Sequence, residues 1–473
     1  MKSEQFSRRR FLGAMLSAAG TSAAPFAMNL AAIGPALAAT SDYKALVCIF
    51  LHGGNDHYNT VLATDPTSWN TYNSLRNTGD LGSIHLASVG QSSGILPINP
   101  ATPQSGRSFA LHPQLGSLKA LFDAGRAAVV SNVGTLVAPI TLSQYKAGAN
   151  VPPKLFSHND QQSMWQSSAP EGASYGWGGR IGDLLASANS NATFTCISAA
   201  GNAVFVSGRQ IRQYQISNSG AVPVAHMDDY MFGTWTNPTR AIVTASSGNM
   251  MAQEYANVVK RSLDSQATLS TGMAASGSGG VPVPSKYTNP KTGQAEVNPL
   301  AVQLQTVARV IAGRGTLGAK RQVFFVQMGG FDTHDGQKVN HAVLMAKLNH
   351  ALAWFDGALS NLMGSDLRNS VTAFTASDFG RTLTSNGDGT DHGWGSHHFV
   401  VGGAVRGKNI YGSFPTVGLN HSLDVGQGAL LPQISVEQYG GTLATWFGLG
   451  AAGLADVFPT LYRYSDQNLG FMG

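Results

Sequence analysis

Three acid-bearing loops lie between Met328 and His398, and their residue types are those of a metal-hydrolase site. The loops are Gly329–His334 (GGFDTH), Ser377–Thr382 (SDFGRT) and Gly389–Gly393 (GTDHG). Carboxylates and imidazoles that meet at one place hold divalent cations, and such cations assist the hydrolysis of esters. The chemistry that these loops indicate is therefore metal-assisted hydrolysis.

The elements before these loops predict where the acids lie. Apolar runs precede two of them, Val323–Val326 and Val371–Phe374, and both are typical of buried strands. A third run, Tyr43–Leu51, ends in His52–Thr60 (HGGNDHYNT), which is a further candidate ligand loop. Acids that follow such strands emerge at the edge where open α/β sheets bind ligands.

Helical patterns alternate with these strands. They cover His112–Gly125, which the strand Ala127–Val130 follows, then Asn298–Gly313 and Gln337–Leu362. Alternation of this kind predicts an α/β protein with a mostly parallel sheet that helices cover on both faces. A Ser-, Gly- and Pro-rich stretch from Ser265 to Asn298 predicts a surface loop, within an insertion or cap at about residues 213–298.

Composition limits the class of protein. The chain has 473 residues, of which 43% are hydrophobic and only 12% are charged, and 56 are glycine. This is enough to bury a large core, and the weakly charged surface suits an exported bacterial protein. The net charge of +5 owes much to Lys2, Arg8, Arg9 and Arg10 near the N-terminus, so we expect no nucleic-acid partner.

The N-terminus has the features of a twin-arginine export signal. Ser7–Leu12 (SRRRFL) precedes a weakly apolar stretch that ends in the small-x-small site Ala36–Ala38. We therefore predict a signal at 1–38, the twin-arginine translocase as a partner, and a mature domain at 39–473 in the periplasm or secreted. An ordinary Sec signal and a membrane anchor are the alternatives. No later segment has the apolar length of a membrane span.

The two cysteines, Cys48 and Cys196, both lie in strand-like apolar runs. Export permits a disulfide, but two buried thiols are the simpler interpretation. The chain has neither Cys-x-x-Cys nor His-Glu-x-x-His spacing, which excludes zinc-finger and zincin sites.

The candidate site residues can now be collected. The metal candidates are Asp56, Asp332, His334, Asp378, Asp391 and His392. Arg381 is a candidate clamp for an oxyanion, and Ser157 or Asn159 is expected near the N-cap of a helix whose N-terminus would attract an anion. Taken one at a time, an Asp in a Gly-rich loop is commonly a turn residue and a single His is commonly structural.

These motifs, together with Ser157–Gln161 (SHNDQ), resemble the bacterial family known as domain of unknown function 1501 over essentially the whole mature chain. That family is similar to the alkaline phosphatase and sulfatase superfamily. The resemblance implies an α/β/α sandwich with a mostly parallel central sheet. It also implies a site for one or two divalent metals, which could be Zn, Mg, Mn or Ca.

The resemblance also implies roles for particular residues. Asp56 resembles the metal-binding Asp after the first strand, and Ser157 lies where the superfamily keeps its nucleophile. Asp332 and His334 would serve one metal and Asp378 the other, with His392 as the late histidine. The chain departs from the superfamily where Phe379 replaces a histidine after Asp378, and Ser157 lacks the surrounding pattern of formylglycine sulfatases.

The sequence therefore favours an exported metal-dependent hydrolase of phosphate or sulfate esters. Ser157 would be the nucleophile, with Thr60 as a competing hydroxyl, and Asn59 and His158 would contact the substrate. The alternative is a non-catalytic exported binding or assembly protein with a structural cation or none. A weaker alternative is a carbohydrate-binding surface built on Trp165, Trp177, Trp235 and Trp394.

Overall fold

The structure is a computed structural model that describes residues 43–224, 227 and 237–473. The predicted export signal at 1–38 lies outside the described residues, and so does Trp235.

A mixed, mostly parallel sheet lies at the centre of the described chain. From edge to edge its strands are β14 (Ile410–Tyr411), β5 (Ala127–Gly134), β13 (Ser396–Val401), β12 (Val371–Ser377), β1 (Lys44–Leu51), β11 (Arg321–Met328), β6 (Cys196–Ser198), β7 (Tyr214–Ser217) and β8 (Gly220–Ala221), and β15 (Ile434–Ser435) pairs with β5. Strand β13 runs antiparallel to both of its neighbours, whereas β12, β1, β11 and β6 run parallel to one another.

The remaining elements surround this sheet. Two small antiparallel sheets contain β2 (Val61–Ala63), β3 (Leu96–Ile98) and β4 (Phe109–Leu111), and β9 (Tyr287–Thr288) and β10 (Ala295–Glu296). The helices of the described residues are α1 (Pro66–Arg76), α2 (Gly116–Asp123), α3 (Leu142–Lys146), α4 (His158–Ser167), α5 (Trp177–Leu185), α6 (Pro238–Val243), α7 (Met250–Gly272), α8 (Pro299–Ala312), α9 (Gln337–Leu359), α10 (Val436–Phe447) and α11 (Ala451–Val457).

Apolar residues pack against both faces of the sheet. Along β1, Val47 and Ile49 join one buried cluster with α2, α8 and α9, whereas Leu46 and Phe50 join the other with α5 and α10. Side chains alternate between the faces of a strand, so a strand that is apolar throughout must be covered on both sides. The predicted α/β/α sandwich with a mostly parallel sheet is confirmed.

The central strands end together, which brings the acid loops to one edge. In the parallel register Leu51 of β1 lies beside Met328 of β11 on one side and beside Ser377 of β12 on the other. The loops that carry Asp332 and Asp378 leave the sheet at these points, as the strand patterns predicted.

The predicted helix limits need three corrections. The stretch from Ser265 to Gly272 is not a loop but the last part of α7, whose N-terminus Asn249 caps. The helix predicted from His112 begins only at Gly116, since the His112 ring accepts a hydrogen bond from the Gln114 amide and forms a turn. Helix α9 ends at Leu359 rather than Leu362.

Two further predictions concern buried side chains. Cys48 and Cys196 are free and buried, as the simpler interpretation of the sequence required. Trp165, Trp177 and Trp394 are almost fully buried, so these three cannot form the carbohydrate-binding surface that was considered. Among the described helices none is long and apolar enough to cross a membrane.

Candidate metal centre

Three imidazoles converge on the carboxylate of Asp332. The Nε2 atoms of His334 and His392 lie 3.0 and 3.3 Å from Asp332 Oδ1, and His158 Nε2 lies 3.4 Å from Asp332 Oδ2. The ligand atoms of His158, Asp332 and His392 all lie within 4.8 Å of one another. This is the spacing of side chains that share one metal ion.

The other ring nitrogen of each imidazole faces an oxygen atom. His158 Nδ1 lies 2.7 Å from Asp378 Oδ2, and His334 Nδ1 lies 3.2 Å from Asp391 Oδ1. His392 Nδ1 lies 2.7 Å from the carbonyl oxygen of Phe156. A carbonyl or a carboxylate accepts a hydrogen bond, so a neutral imidazole in these contacts would carry its proton on Nδ1 and keep its Nε2 lone pair for a metal.

One contact and one unpartnered nitrogen suit a cation in the cluster. Nε2 of His334 and Nε2 of His392 are 2.9 Å apart, so with both rings neutral and protonated on Nδ1 their lone pairs would face each other. His158 Nε2 is buried and makes no hydrogen bond. A divalent cation would bind these lone pairs. No group in the cluster donates a hydrogen bond to Nε2 of His158.

The charges around the cluster favour the metal-binding forms of Asp332 and His392 but the protonated form of His158. Burial raises the pKa of Asp332, but the hydrogen bond and the positive charge of Arg381 outweigh it, so the pKa lies below its usual value. Burial lowers the pKa of His392. The hydrogen bond to Asp378 raises the pKa of His158, so a metal that binds there displaces a proton when His158 is protonated.

Unusual backbone conformations support the loops around the cluster. Gly53 has a φ of +117°, and a Cβ atom on it would lie 2.3 Å from the Asp332 amide nitrogen, so glycine is required for this close approach. Phe156 has a φ of +68°, which is strained for an aromatic residue, and its carbonyl is the one that holds His392.

Phe379 lies beside two imidazoles of the cluster. Its ring centroid lies 4.9 Å from that of His158 and 4.7 Å from that of His392, and the side chain is buried. The phenyl ring therefore forms an apolar wall beside two imidazoles, which limits the access of water to them.

Arg381 holds the ligand loops together. Its guanidinium is fully buried and donates to the carbonyl oxygens of Gly53, Gly54 and Thr390 at 2.6, 3.0 and 2.7 Å, and to Asp332 Oδ1. These contacts give Arg381 a role in positioning the loops. The clamping of an oxyanion by Arg381 stays a prediction, and its protein contacts do not favour it.

Asp56 lies in a different, buried network. Both of its carboxylate oxygens pair with Arg76, at 2.6 and 2.9 Å, and neither residue has any exposed side-chain surface. Arg76 also donates to Asn59 Oδ1, which in turn accepts from Tyr72. The structure therefore does not bring Asp56 or Asn59 to the imidazole cluster.

Ser157 lies at the border of the cluster. It is the N-cap residue of α4, as predicted, between Phe156, whose carbonyl contacts His392, and His158, which belongs to the cluster. Its hydroxyl donates to Asp160 Oδ2 at 2.9 Å and does not cap the helix backbone. Thr60, the competing hydroxyl, is buried and bonds to the Asp56 carbonyl.

The structure regroups the predicted metal residues. Asp332, His334 and His392 lie together, whereas Asp378 and Asp391 face the outer nitrogens of histidines. His158, which was expected to contact the substrate, lies in the ligand set. The sequence feature that could have indicated this role is the position of His158 directly after Ser157, at the start of a helix. Nothing in the sequence marked Arg76 as the partner of Asp56.

A family model matches most of the chain. Residues 43–429 match the family described as "Protein of unknown function (DUF1501)". No curated protein sequence matches the chain significantly.

Three solved structures match the chain with low TM-scores and little sequence identity. The first, from glycosaminoglycan metabolism in Bacteroides thetaiotaomicron, is 10% identical with a TM-score of 0.35, covering 88% of this chain and 75% of that one. The lipoteichoic acid synthase LtaP from Listeria monocytogenes is 8% identical with a TM-score of 0.31, and the match covers 92% of this chain and 79% of that one. Alkaline phosphatase from the Antarctic bacterium TAB5 is 8% identical with a TM-score of 0.25, and the match covers 77% of this chain and 92% of that one.

Proposed function

The chain belongs to the family described as "Protein of unknown function (DUF1501)", and we propose that it is an exported metal-dependent hydrolase of phosphate or sulfate esters. The observation that carries this proposal is the convergence of three imidazole Nε2 atoms on Asp332, with every Nδ1 held by an oxygen. The adjacent Arg8 and Arg9 support export by the twin-arginine route.

The donor set favours zinc among the divalent metals. Imidazole nitrogen suits zinc and other late transition metals, whereas magnesium and calcium prefer oxygen ligands. His158, Asp332 and His392 would hold the ion, and His334 is placed to contribute from beside Asp332. This set is sufficient for one ion, and Asp56, which would serve a second, is paired with Arg76.

The neighbouring residues suit ester hydrolysis. A divalent metal at this cluster would supply Lewis-acid chemistry to a phosphoryl or sulfuryl oxygen. Ser157 Oγ is the candidate nucleophile, and Asp160 Oδ2, 2.9 Å away, can accept its proton. The Phe379 ring excludes water from one side of the imidazoles, and Arg381 keeps Asp332 ionised and in place.

One contact favours the alternative of a non-catalytic binding protein. The buried guanidinium of Arg381 already gives Asp332 a fixed positive partner, so the loops can stay together without a cation. In that case the cluster would be structural, and the protein would bind its partners without chemistry.

Metal analysis joined to a substrate screen separates these two functions. The protein exported from its native host is analysed for bound metal and assayed with p-nitrophenyl phosphate, bis-p-nitrophenyl phosphate and p-nitrophenyl sulfate. We expect about one zinc-class ion for each chain, and hydrolysis that His392→Ala abolishes while the distant His350→Ala retains it. Metal-free protein without hydrolysis, whose melting does not respond to added Zn, Mn, Mg or Ca, would exclude the hydrolase.

A further inference from the structure

A cavity of about 300 Å³ is lined by Gly336 and Asp388, which belong to the loops that also carry His334 and His392. Its lining includes Leu81, Ile84, Lys291, Lys338, Val339 and Asp388. The volume is at the lower end of the range for small-molecule sites and suits one sugar or one short phosphorylated unit. Leu81 and Val339 are exposed, so the cavity also offers apolar contact to the carbon skeleton of a ligand.

The charge of this cavity is mostly positive. Lys291 comes from the turn between β9 and β10, and Lys338 from the first turn of α9. Among the described residues neither ammonium group has a carboxylate within ion-pair distance. The one carboxylate in the lining, Asp388, accepts a hydrogen bond from the Gly336 amide at 2.9 Å, so it is already engaged by the backbone.

Two paired loops join the cavity to the metal centre. The Gln337 amide donates to the Asp388 carbonyl at 3.0 Å, and the Thr390 amide donates to the Thr333 carbonyl at 3.1 Å. One end of this pair carries His334 and His392, and the other end carries Gly336 and Asp388, which line the cavity. A ligand bound at the cluster that followed these loops would extend towards the cavity and its two lysines.

We propose that this cavity is a subsite for a second anionic group, a phosphate or a sulfate, of a polyanionic substrate. The inference rests on the proposed function, since it places the reacting ester of the same substrate at the metal centre. Lysine ammonium groups act as point charges that attract phosphate and sulfate without demanding one geometry. The subsite would select esters that carry more than one anionic group over simple monoesters.

Binding to lysine variants tests the subsite independently of hydrolysis. The probes are a heparin-derived sulfated tetrasaccharide and tripolyphosphate, titrated calorimetrically into the folded, metal-loaded protein at low and at physiological salt. Lys291→Ala and Lys338→Ala should each raise the Kd about two- to fivefold, which is the scale of an exposed ion pair. The doubly reversed variant, Lys291→Glu with Lys338→Glu, should raise it roughly tenfold or more, because each reversal also adds repulsion.

The controls separate this inference from the proposed function. Lys260→Glu, on the exposed face of α7, reverses one charge outside the cavity, half the charge change of the doubly reversed variant, and should leave the Kd unchanged. His392→Ala should retain most of the probe binding, even where hydrolysis is lost. The ratio of the Kd values for the two probes shows whether the cavity prefers sulfate or phosphate. An equal Kd for wild type and the doubly reversed variant would overturn the subsite, as would binding that depends on His392 and not on the lysines.

If no ester is hydrolysed but binding still depends on the two lysines, the anion site stands and only the proposed chemistry fails. If hydrolysis depends on His392 but the wild type binds neither probe, the subsite fails and the hydrolase stands.

Discussion

Gln337 Nε2 donates a hydrogen bond to Asp56 Oδ2 at 2.6 Å, and this contact ties the ligand loops to the buried Asp56–Arg76 pair. Gln337 Oε1 accepts from the hydroxyls of Thr333 and Thr390 at 3.1 and 2.6 Å. Thr333 lies between Asp332 and His334, and Thr390 immediately precedes Asp391. The buried amide of Gln337 therefore sets the spacing of two loops without touching the cluster itself.

We predict that Gln337→Met weakens metal binding roughly tenfold, because residues that orient metal ligands contribute this much or more to affinity. Competition with a chromophoric chelator measures the change. Gln305→Met removes another buried glutamine amide, on α8, and should leave the affinity near that of wild type. An affinity unchanged by Gln337→Met would mean that the loops hold their spacing without it.

Replacing a proposed ligand should have a larger effect than replacing its hydrogen-bond partner. We predict that Asp332→Asn removes stoichiometric metal, whereas Asp378→Asn retains it with affinity lowered about 10- to 100-fold through His158. The larger the loss of metal affinity in a variant, the further its melting temperature should fall, since bound metal stabilises the folded state. Asp366→Asn, in an exposed ion pair with Arg368, is the matched control. Equal metal contents in all three variants would contradict the assignment.

Ser157→Ala tests the nucleophile. If Ser157 Oγ attacks the ester, turnover should fall roughly 10³-fold or more while the metal content is kept. The hydroxyl does not cap the helix backbone, so we expect only a small change in stability. Ser163→Ala, later in the same helix, should retain activity. Near-normal hydrolysis by Ser157→Ala would remove Ser157 from the mechanism and leave the metal centre intact.

Stability should decline in acid because several histidines are buried in their neutral form. Burial lowers the pKa of His398 to about 3 and that of His341 to about 4, against about 6.5 in an unfolded chain. Their contribution is complete above pH 6.5 and is lost as the pH falls towards the folded pKa, by roughly 1 kcal/mol per pH unit for each histidine. Urea unfolding at pH 7 to 4.5 measures this slope. His398→Phe should reduce it, and an unchanged slope would contradict the prediction.

The predicted export signal contains an arginine pair, Arg8 and Arg9, that lies outside the described residues. Changing Arg8 and Arg9 both to Lys should leave the precursor in the cytoplasm, because a receptor reads the arginine pair and not its charge alone. Fractionation of cells and immunoblotting measure the distribution. An undiminished periplasmic yield would favour a Sec signal instead.

The sequence alone correctly predicted several strands and one helix start. The apolar runs of β1, β11 and β12 predicted buried parallel strands, and they fixed Asp332 and Asp378 at the strand ends. Asn298 and Pro299 correctly marked the start of α8, since capping and a Pro at the first turn depend only on neighbouring residues.

Only the tertiary structure shows which residues belong to the candidate metal centre. Asp56 follows a strand in a Gly-rich loop much as Asp332 does, yet Arg76 takes both of its oxygens. His158 joins the cluster through Asp378, which is 220 residues away in the chain. Spacing along the sequence reports caps and periodicity, whereas these pairings depend on how the sheet packs its loops, and that packing is a property of the whole fold.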